Sequence, residues 1–447
     1  MPCVQNKKVT SIRIDPKLWK EIRKYAIDAG IGVGEFVEQF LTVFLSPYLE
    51  KGEPSFSTAR SDFLWEDGLV YFNSGALASN PTRVIGKVTA YLYELGKHGG
   101  ASREMRERLE QEDITCRQNL ALALGAEVDE ILYEVNTTGS LRLAFNISKT
   151  LRKLSTADKI LTTDFEHDST RRMLIMEFKS KIKEVPLLQA FRRGYDKNEI
   201  LKLFTSAIDP HTKLLFISHI PYLGGKLPVD EIVEIVKDRN PDTLCIVDGA
   251  HTLGQLRIDV KRINCDFYAV NAHKFGLGLP AFAALYTNAR YLEELGSTRN
   301  HKRFPIYDSY AVSSRFRTDE ELGTINGAAI VSFNEAFTML YDHYGIDRVQ
   351  ARILSLAKYF VEYVQKDKTL APVSPLTPEL ISGVNCFTIK NHSYDEYSKL
   401  VEVLENKYKI ICKALKRPPC IRICLHYFNS ENDIDRFFEA LRKEAVA

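Results

Sequence analysis

The middle of the chain alternates short apolar runs with amphipathic segments, and this alternation constrains the fold more than any other feature. LLFISHI at residues 214–220 and TLCIV at residues 243–247 are typical of buried strands, and PVDEIVEIVKD between them is typical of a helix that opens with proline. Strands joined through helices pair in parallel. The pattern therefore predicts an α/β fold with a mostly parallel sheet.

Composition and charge exclude several classes of protein. The 447 residues leave room for more than one domain, since a domain takes roughly 100 to 200 residues. A hydrophobic share of 45% and a charged share of 26% are typical of a globular protein. The 60 basic and 58 acidic residues nearly cancel, so no overall field draws the whole chain to nucleic acid or to a membrane.

The spacing of the cysteines and the character of the first residues indicate in which cellular compartment the protein is expected. The eight cysteines are far apart, with no Cys-x-x-Cys pair, so we expect reduced thiols and no metal site. The first residues lack the apolar core of a secretory signal, and no run approaches the ~18 apolar residues of a membrane span. We therefore expect a cytoplasmic protein with no membrane partner.

Residues 1–50 form a distinct arm. The segment Val9 to Ile14 alternates like a short strand, Asp15 and Pro16 are typical of a helix start, and a second helix is expected to stop before Pro47. We expect this β-α-α arm to precede a large domain at residues 51–345, whose first residues could join the smaller α+β domain at residues 346–447. A polar linker and a proline-punctuated segment favour these boundaries.

The arm resembles a ribbon-helix-helix module, a small DNA-binding fold that forms only as a dimer. The resemblance implies that Val9, Ser11 and Arg13 point outward from the ribbon. Seven basic and two acidic residues between Lys7 and Lys24 suit phosphate contact. The alternative is an oligomerisation arm whose lysines are simply solvated.

Two strand ends between residues 245 and 278 carry charged side chains. Asp248 ends one buried run, and Lys274 follows the next run, FYAV, directly after His273. A lysine at a strand end in a closed site can bond covalently to a carbonyl, and an aspartate beside a pyridine nitrogen keeps it protonated. Taken alone, the aspartate could instead cap a helix and the lysine could be solvated.

Taken together, six segments resemble the class V aminotransferases, which include cysteine desulfurases and isopenicillin N epimerase. The resemblance implies the fold type I of pyridoxal phosphate (PLP) transferases, with a mostly parallel seven-stranded-type sheet, and a homodimer with composite sites. The segments are YFNSGALASNP at 71–81, CRQNLALALGA at 116–126, NTTGS at 136–140, DFEHDS at 164–169, ELGTIN at 321–326 and IRICLHYFNSENDIDRF at 421–437.

The resemblance also implies a role for each matching residue around the cofactor. Lys274 would hold PLP covalently and act as the general base, Asp248 would pair with the pyridinium, and His167 would stack on the ring. His251 and His219 would lie near the phenolic oxygen.

The phosphate and the substrate would be bound by a second group of residues. Thr137 and Thr138 start a helix, whose N-terminal N–H groups suit an anion. His273, Thr324 from the other subunit and Asn271, which stands where desulfurases usually have a serine, would also contact the phosphate. Arg422 would bind the α-carboxylate of an amino-acid substrate.

The reaction is less constrained than the cofactor. The segment before Arg422 is short and has no cysteine where the desulfurases carry their persulfide; Cys412 and Cys420 nearby could accept sulfur or could be core thiols. We expect a PLP-dependent carbon-sulfur lyase or desulfurase-like enzyme, with an epimerase or aminotransferase as alternatives. A second hypothesis is a PLP-binding transcriptional regulator that contacts DNA through the arm.

Overall fold

The computed structural model describes residues 13–46, 54–152, 154–178, 180–292 and 326–444. The strands in these ranges are β1 (Val70–Tyr71), β2 (Ile131–Glu134), β3 (Lys159–Thr163), β4 (Lys181–Val185), β5 (Thr212–Ser218), β6 (Leu244–Asp248), β7 (Phe267–Asn271), β8 (Ala283–Thr287), β9 (Leu370–Pro372), β10 (Val384–Ile389), β11 (Ile410–Ile411), β12 (Lys413–Lys416) and β13 (Pro419–Cys424).

The helices flank these strands in chain order. They are α1 (Pro16–Asp28), α2 (Val33–Leu45), α3 (Thr82–His98), α4 (Arg103–Leu124), α5 (Thr137–Leu151), α6 (Asp168–Glu177), α7 (Leu187–Arg192), α8 (Lys197–Ala207), α9 (Val229–Arg239), α10 (Val260–Ile263), α11 (Gly327–Phe337), α12 (Ile346–Lys366), α13 (Tyr394–Tyr408) and α14 (Glu431–Glu444). Short 3₁₀ turns occupy Ala59–Asp62 and Val128–Glu130, and a π-helical turn, Thr338–His343, follows α11.

A seven-stranded sheet with the strand order β2-β8-β7-β6-β5-β3-β4 dominates the structure. Strand β8 runs antiparallel to both of its neighbours, and the other pairs are parallel. The central strands β6 and β7 are buried along their whole length. This sheet confirms the predicted α/β fold with mostly parallel pairing.

The predicted strand at residues 214–220 was wrong at its carboxyl end. Strand β5 ends at Ser218, although the backbone N–H of His219 still donates to the carbonyl of Asp248 at 2.9 Å. Pro221 has no N–H with which to continue the pairing, so the chain leaves the sheet there. The next predicted strand, at residues 243–247, is β6 in the structure. Strand β6 ends at Asp248, so this residue lies at the strand end, as predicted.

A four-stranded antiparallel sheet, ordered β12-β13-β10-β9, lies in the C-terminal region. Phe72, near the start of the predicted large domain, packs in the same apolar cluster as Phe387 and Phe437. The short strand β1 pairs in parallel with β11. Residues 70–72 thus belong to the core of the C-terminal region. The division at residues 345 and 346 stays a prediction.

Specific hydrogen bonds join the two sheets' loops. The hydroxyl of Ser374 donates to the carbonyl of Leu223 at 2.6 Å, and the N–H of Gly383 donates to the side-chain oxygen of Gln255 at 2.6 Å. All four residues lie in loops, so the loops after β5 and β6 are fixed against the C-terminal region.

The N-terminal arm contains the two predicted helices. The carboxylate of Asp15 caps α1 by accepting from the N–H groups of Lys17 and Leu18, and Ser46 after α2 donates to the carbonyl of Thr82. Of the predicted strand, residues 9–12, including the outward positions Val9 and Ser11, lie outside the described residues. The ribbon-helix-helix hypothesis therefore stays a prediction.

Within the described ranges, no helix combines the length and apolar character needed to cross a membrane.

The contact between the loop after β5 and the C-terminal region can be tested at Gly224. Its φ is +92°, and an added Cβ would collide with the carbonyl oxygen of Val384 and the hydroxyl oxygen of Ser374. We expect Gly224→Ala to destabilise the protein by about 1 to 2 kcal/mol for the left-handed backbone and by a further ~1 to 3 kcal/mol for the collision. Urea unfolding measures the sum of these two losses in the free energy of unfolding.

Gly194→Ala is the matched control. Gly194 also has a positive φ, +74°, but a Cβ there would meet no atom within 4 Å. It therefore isolates the backbone cost. Equal losses of stability in the two variants would show that the close contact of Gly224 with Ser374 and Val384 contributes nothing to stability.

Candidate active site

Asp248 ends β6 and Lys274 follows the end of β7 by three residues, and both side chains line one cavity. Asp248 is 6% exposed, and its carboxylate accepts from the N–H of Ala250 at 2.8 Å. Burial raises the pKa of Asp248, while the N–H of Ala250 and the charge of Lys274 oppose that shift. Burial lowers the pKa of Lys274 to about 8, although Asp248 acts in the opposite direction. Lys274 thus has an appreciable neutral fraction near physiological pH.

The ring of His251 contacts the amine of Lys274. Its Nε2 lies 3.3 Å from the Nζ of Lys274 and 3.0 Å from the carbonyl oxygen of Gly75, while its Nδ1 lies 3.1 Å from the carbonyl oxygen of Ile220. Burial lowers the pKa of His251 well below its usual value, so the ring is neutral. His251 therefore contacts the amine of Lys274 without adding a second positive charge beside it.

One cavity brings together six of the predicted residues. It opens at the N-terminus of α5, where the side chain of Asn136 accepts from the N–H of Gly139 at 2.9 Å. A helix N-terminus that faces a cavity suits an anion such as phosphate. The lining consists of the predicted Thr137, Thr138, His167, Asp248, His251 and Lys274, together with Leu141, Ser169, Thr170, Ser218, Ile220, Tyr222 and Ala250.

Two further predicted residues lie next to this cavity. Asn271 donates through Nδ2 to the hydroxyl of Thr137 at 2.8 Å and to the carbonyl of Ala250 at 3.0 Å, so it fixes the start of α5. His273 has a buried Nδ1 with no hydrogen-bond partner in the described part of the chain. Burial lowers the pKa of His273 to about 4, which leaves a neutral ring able to donate one hydrogen bond.

Of the other two predicted cofactor residues, the described one, His219, does not line the cavity. The ring of His219 lies with its Nδ1 2.8 Å from the hydroxyl of Tyr268, which donates in turn to Thr252, and His219 is not among the lining residues. Burial lowers its pKa to about 3. Thr324 lies outside the described residues.

Arg422 is a buried cation near the same cleft. It lies in β13, is 3% exposed, and its guanidinium carbon lies 5.9 Å from the ring of Tyr222. One Nη is 3.5 Å from the side-chain oxygen of Asn73, and the Nε has no partner among the described residues. A buried cation is costly unless an anion pairs with it. Arg422 is therefore suited to bind a carboxylate.

The two cysteines discussed above are core thiols. Cys412 is 5% exposed in the apolar cluster of the C-terminal region, and Cys420 is fully buried beside Leu415. Burial raises the pKa of Cys412, which disfavours the reactive thiolate. Their packing favours a structural role.

Sequence reasoning missed Glu166, although it directly precedes His167. Glu166 is buried, and its carboxylate accepts from the hydroxyl of Thr163 at 2.7 Å and from the N–H of Ser218 at 3.2 Å. Its other oxygen lies 2.5 Å from the hydroxyl of Ser218, the residue that pairs with Asp248 across β5 and β6. Burial raises the pKa of Glu166 to about 7, and Asp248 adds to the shift. Its position in DFEHDS was the available signal.

Glu166→Gln tests the protonation of this carboxyl. An acid whose pKa rises from 4.5 to about 7 on folding holds an extra proton in the native state between these values, so stability falls as pH rises through this range. Glutamine remains neutral and can keep bonds to Ser218. We expect the variant to gain about 1 to 3 kcal/mol relative to the wild type between pH 5 and pH 8 in urea unfolding.

The exposed Glu402→Gln on α13 controls for loss of a negative charge. It should shift stability equally at both pH values. A pH-independent effect of Glu166→Gln would show that Glu166 does not change its protonation on folding in this range.

Comparisons with known proteins match most of the chain. The sequence model of the family "Aminotransferase class-V" matches residues 70–437. A probable cysteine desulfurase of Pyrococcus abyssi is 24% identical over 409 residues, covering 86% of this chain and 96% of that protein. Isopenicillin N epimerase of Amycolatopsis lactamdurans is 24% identical over 415 residues, covering 87% and 98%.

Solved structures show the same fold. The cystine C-S lyase C-DES, in complex with its reaction product cysteine persulfide, superposes with a TM-score of 0.71 at 22% identity, covering 84% of this chain and 97% of that one. The apo cysteine desulfurase of Thermococcus onnurineus NA1 gives a TM-score of 0.70 at 20% identity, covering 88% and 98%. Together with the family match over residues 70–437, the site geometry leads to one conclusion: the chain belongs to the class V aminotransferase family of PLP-dependent enzymes.

Proposed function

We propose that this enzyme acts at the α-carbon of an amino acid and cleaves a carbon-sulfur bond by β-elimination, as a lyase or a desulfurase-like enzyme. The observation that carries the proposal is that Asp248 and Lys274 line one cavity, and that the buried Arg422 lies beside Tyr222 in the wall of this cavity with an Nε that has no hydrogen-bond partner among the described residues. The similarity to a probable cysteine desulfurase and to a cystine C-S lyase supports the sulfur chemistry.

The residues of the cleft fit the cofactor. The N-terminus of α5 offers N–H donors to a phosphate, and the orphaned Nδ1 of His273 offers another donor. Asp248 suits a protonated pyridine nitrogen, and His167 lines the cavity where a ring would lie. Lys274 supplies the amine for the aldehyde. When bound, PLP supplies an electron sink for the α-carbon.

The chain's own residues hold the substrate and move the proton. Arg422 binds the α-carboxylate through its planar fork of donors, which fixes the orientation of the α-carbon. Lys274 takes the α-proton, since a pKa of about 8 leaves part of its amines neutral near pH 7 to 8. His251 holds the Nζ of Lys274 toward the cavity through the 3.3 Å contact.

The fate of the substrate depends on its β-carbon and on where the proton returns. With sulfur on the β-carbon, elimination would release the sulfur fragment, and water would hydrolyse the remaining enamine to pyruvate and ammonia. Return of the proton to the opposite face would give epimerisation, and its return to the cofactor would give transamination. The isopenicillin N epimerase relative keeps the epimerase alternative open.

We also propose a homodimer in a reducing, cytoplasmic setting. Thr324 of the partner subunit would contact the phosphate, as the family resemblance implies. Free, buried thiols at all seven cysteines within the described ranges favour a reducing compartment. The comparisons give no support to the alternative of a DNA-binding regulator.

A direct assay tests the lyase proposal. Purified enzyme loaded with PLP is incubated with cysteine, cystine and sulfur-free amino acids, and sulfide, persulfide and pyruvate are measured. We expect sulfur release and pyruvate from the sulfur amino acids, and a loss of at least about a thousandfold in Lys274→Ala, which lacks the base.

The matched control is Lys181→Ala, an exposed lysine in β4. It should keep full activity. Keto-acid or inverted amino acid from sulfur-free substrates, without sulfur release, would overturn the lyase proposal in favour of the aminotransferase or epimerase.

A further inference from the structure

The backbone around Lys274 is held by contacts from outside its own strand. Lys274 lies in the loop after β7, where Leu277 has a left-handed φ of +59°. A residue other than glycine seldom adopts this conformation unless the surrounding structure holds it there. Two such contacts come from residues before α3. The N–H of Ala78 donates to the carbonyl of His273, and the side chain of Asn80 donates to that of Leu277, both at 2.9 Å.

A third contact comes from His426, in the chain that follows Arg422 and the end of β13. The N–H of Tyr427 donates to the Nδ1 of His426 at 2.8 Å, so this nitrogen is an acceptor. The proton of the neutral ring is therefore on Nε2, which donates to the carbonyl of Phe275 at 3.0 Å. His426 is fully buried, and burial lowers its pKa to about 4, so the ring is neutral near pH 7.

Ring stacking accompanies this hydrogen bond. The imidazole of His426 stacks on the ring of Phe275, with centroids 5.3 Å apart and 23° between the planes, and on the ring of Phe428 at 4.8 Å and 16°. Phe275 also packs in a small apolar cluster with Cys424, the last residue of β13. The end of β13 and the chain after it thus contact both the carbonyl and the side chain of Phe275.

Three loops of the candidate site meet at the carbonyl of Phe275. This carbonyl belongs to the loop after β7, and His426 contacts it from the chain after β13. Gly254, in the loop after β6, approaches so closely that an added Cβ would collide with the same oxygen. Strand β6 ends at Asp248 and strand β13 carries Arg422. One carbonyl therefore joins the elements that position the acid, the lysine and the arginine.

We propose that His426 is a positioning residue, whose hydrogen bond to the carbonyl of Phe275 fixes the backbone of Lys274 relative to the two other loops. This inference rests on the proposed role of Lys274 as the residue that bonds to the cofactor and takes the α-proton. A misplacement of about 1 Å can slow a reaction about a hundredfold. Loss of this bond therefore slows the chemistry of Lys274, although no reacting atom is removed.

Two substitutions separate the roles of the two ring nitrogens. In His426→Gln, the longer side chain places an amide N–H near the position of Nε2, where it can donate to the carbonyl of Phe275. In His426→Asn, the amide oxygen can accept from the N–H of Tyr427, but the side chain is too short to reach Phe275. Both variants lose the stacked ring, so the difference between them reports the bond to Phe275. His211→Asn makes the same change at an exposed histidine and serves as the control.

The first measurement follows the reaction of Lys274 with PLP in the absence of substrate. PLP is mixed with the apoprotein, samples are reduced with borohydride at timed intervals, and the pyridoxyl label on the Lys274 peptide is quantified by mass spectrometry. We expect His426→Asn to slow this labelling about tenfold. His426→Gln and His211→Asn should stay within about twofold of the wild type.

The second measurement is hydrogen exchange on the apoprotein, which needs no cofactor. The N–H groups of Leu277 and Gly278 donate within the loop, to the carbonyls of Lys274 and Ala272. These two amides should exchange about tenfold faster in His426→Asn than in His426→Gln, because only the first variant releases the loop.

Equal labelling rates together with equal exchange in the two His426 variants would overturn the inference, since His426 would then act through packing alone. A labelling defect that merely follows the loss of stability of each variant in urea would overturn it as well. Because neither measurement uses a sulfur substrate, failure here is distinguishable from failure of the lyase proposal, which the release of sulfur decides.

Discussion

The electrostatic coupling between Asp248, at the end of β6, and Lys274, three residues after β7, is the interaction on which the rest of the site depends. Burial disfavours both charged forms, and each charge partly restores the other. The parallel order of β5, β6 and β7 places these strand ends side by side. The carboxyl ends of these central strands thus bring an acid and an amine to one cavity.

The second half of the site comes from the C-terminal region. Arg422 reaches the cleft from β13, and the loops around Ser374 and Gly383 dock on the loops after β5 and β6. The separation of Arg422 from Lys274 therefore depends on the contact between these loops. The packing around Arg422 leaves no room for a side chain at Gly75. A Cβ there would lie 2.6 Å from the sulfur of Cys424 and 3.5 Å from the guanidinium carbon of Arg422.

Sequence alone predicted the parts of the site that depend on local pattern. The buried runs identified the strand end at Asp248, and the motifs identified Lys274 and the start of α5. Sequence could not indicate the strand register that places Lys413 opposite Arg422 or Ser218 opposite Asp248, because these contacts join distant residues. It also could not show that His219 bonds to Tyr268. Long-range packing decides all three.

Capture of the cofactor on one lysine tests the central claim most directly. PLP is added to the apoprotein, the adduct is reduced with borohydride, and proteolytic peptides are mapped by mass spectrometry. The account predicts one pyridoxyl label per chain, on the peptide that contains Lys274, and loss of this label when Asp248 and Lys274 are both replaced by alanine. A stoichiometric label on another lysine, or no label at saturating PLP, would contradict the account.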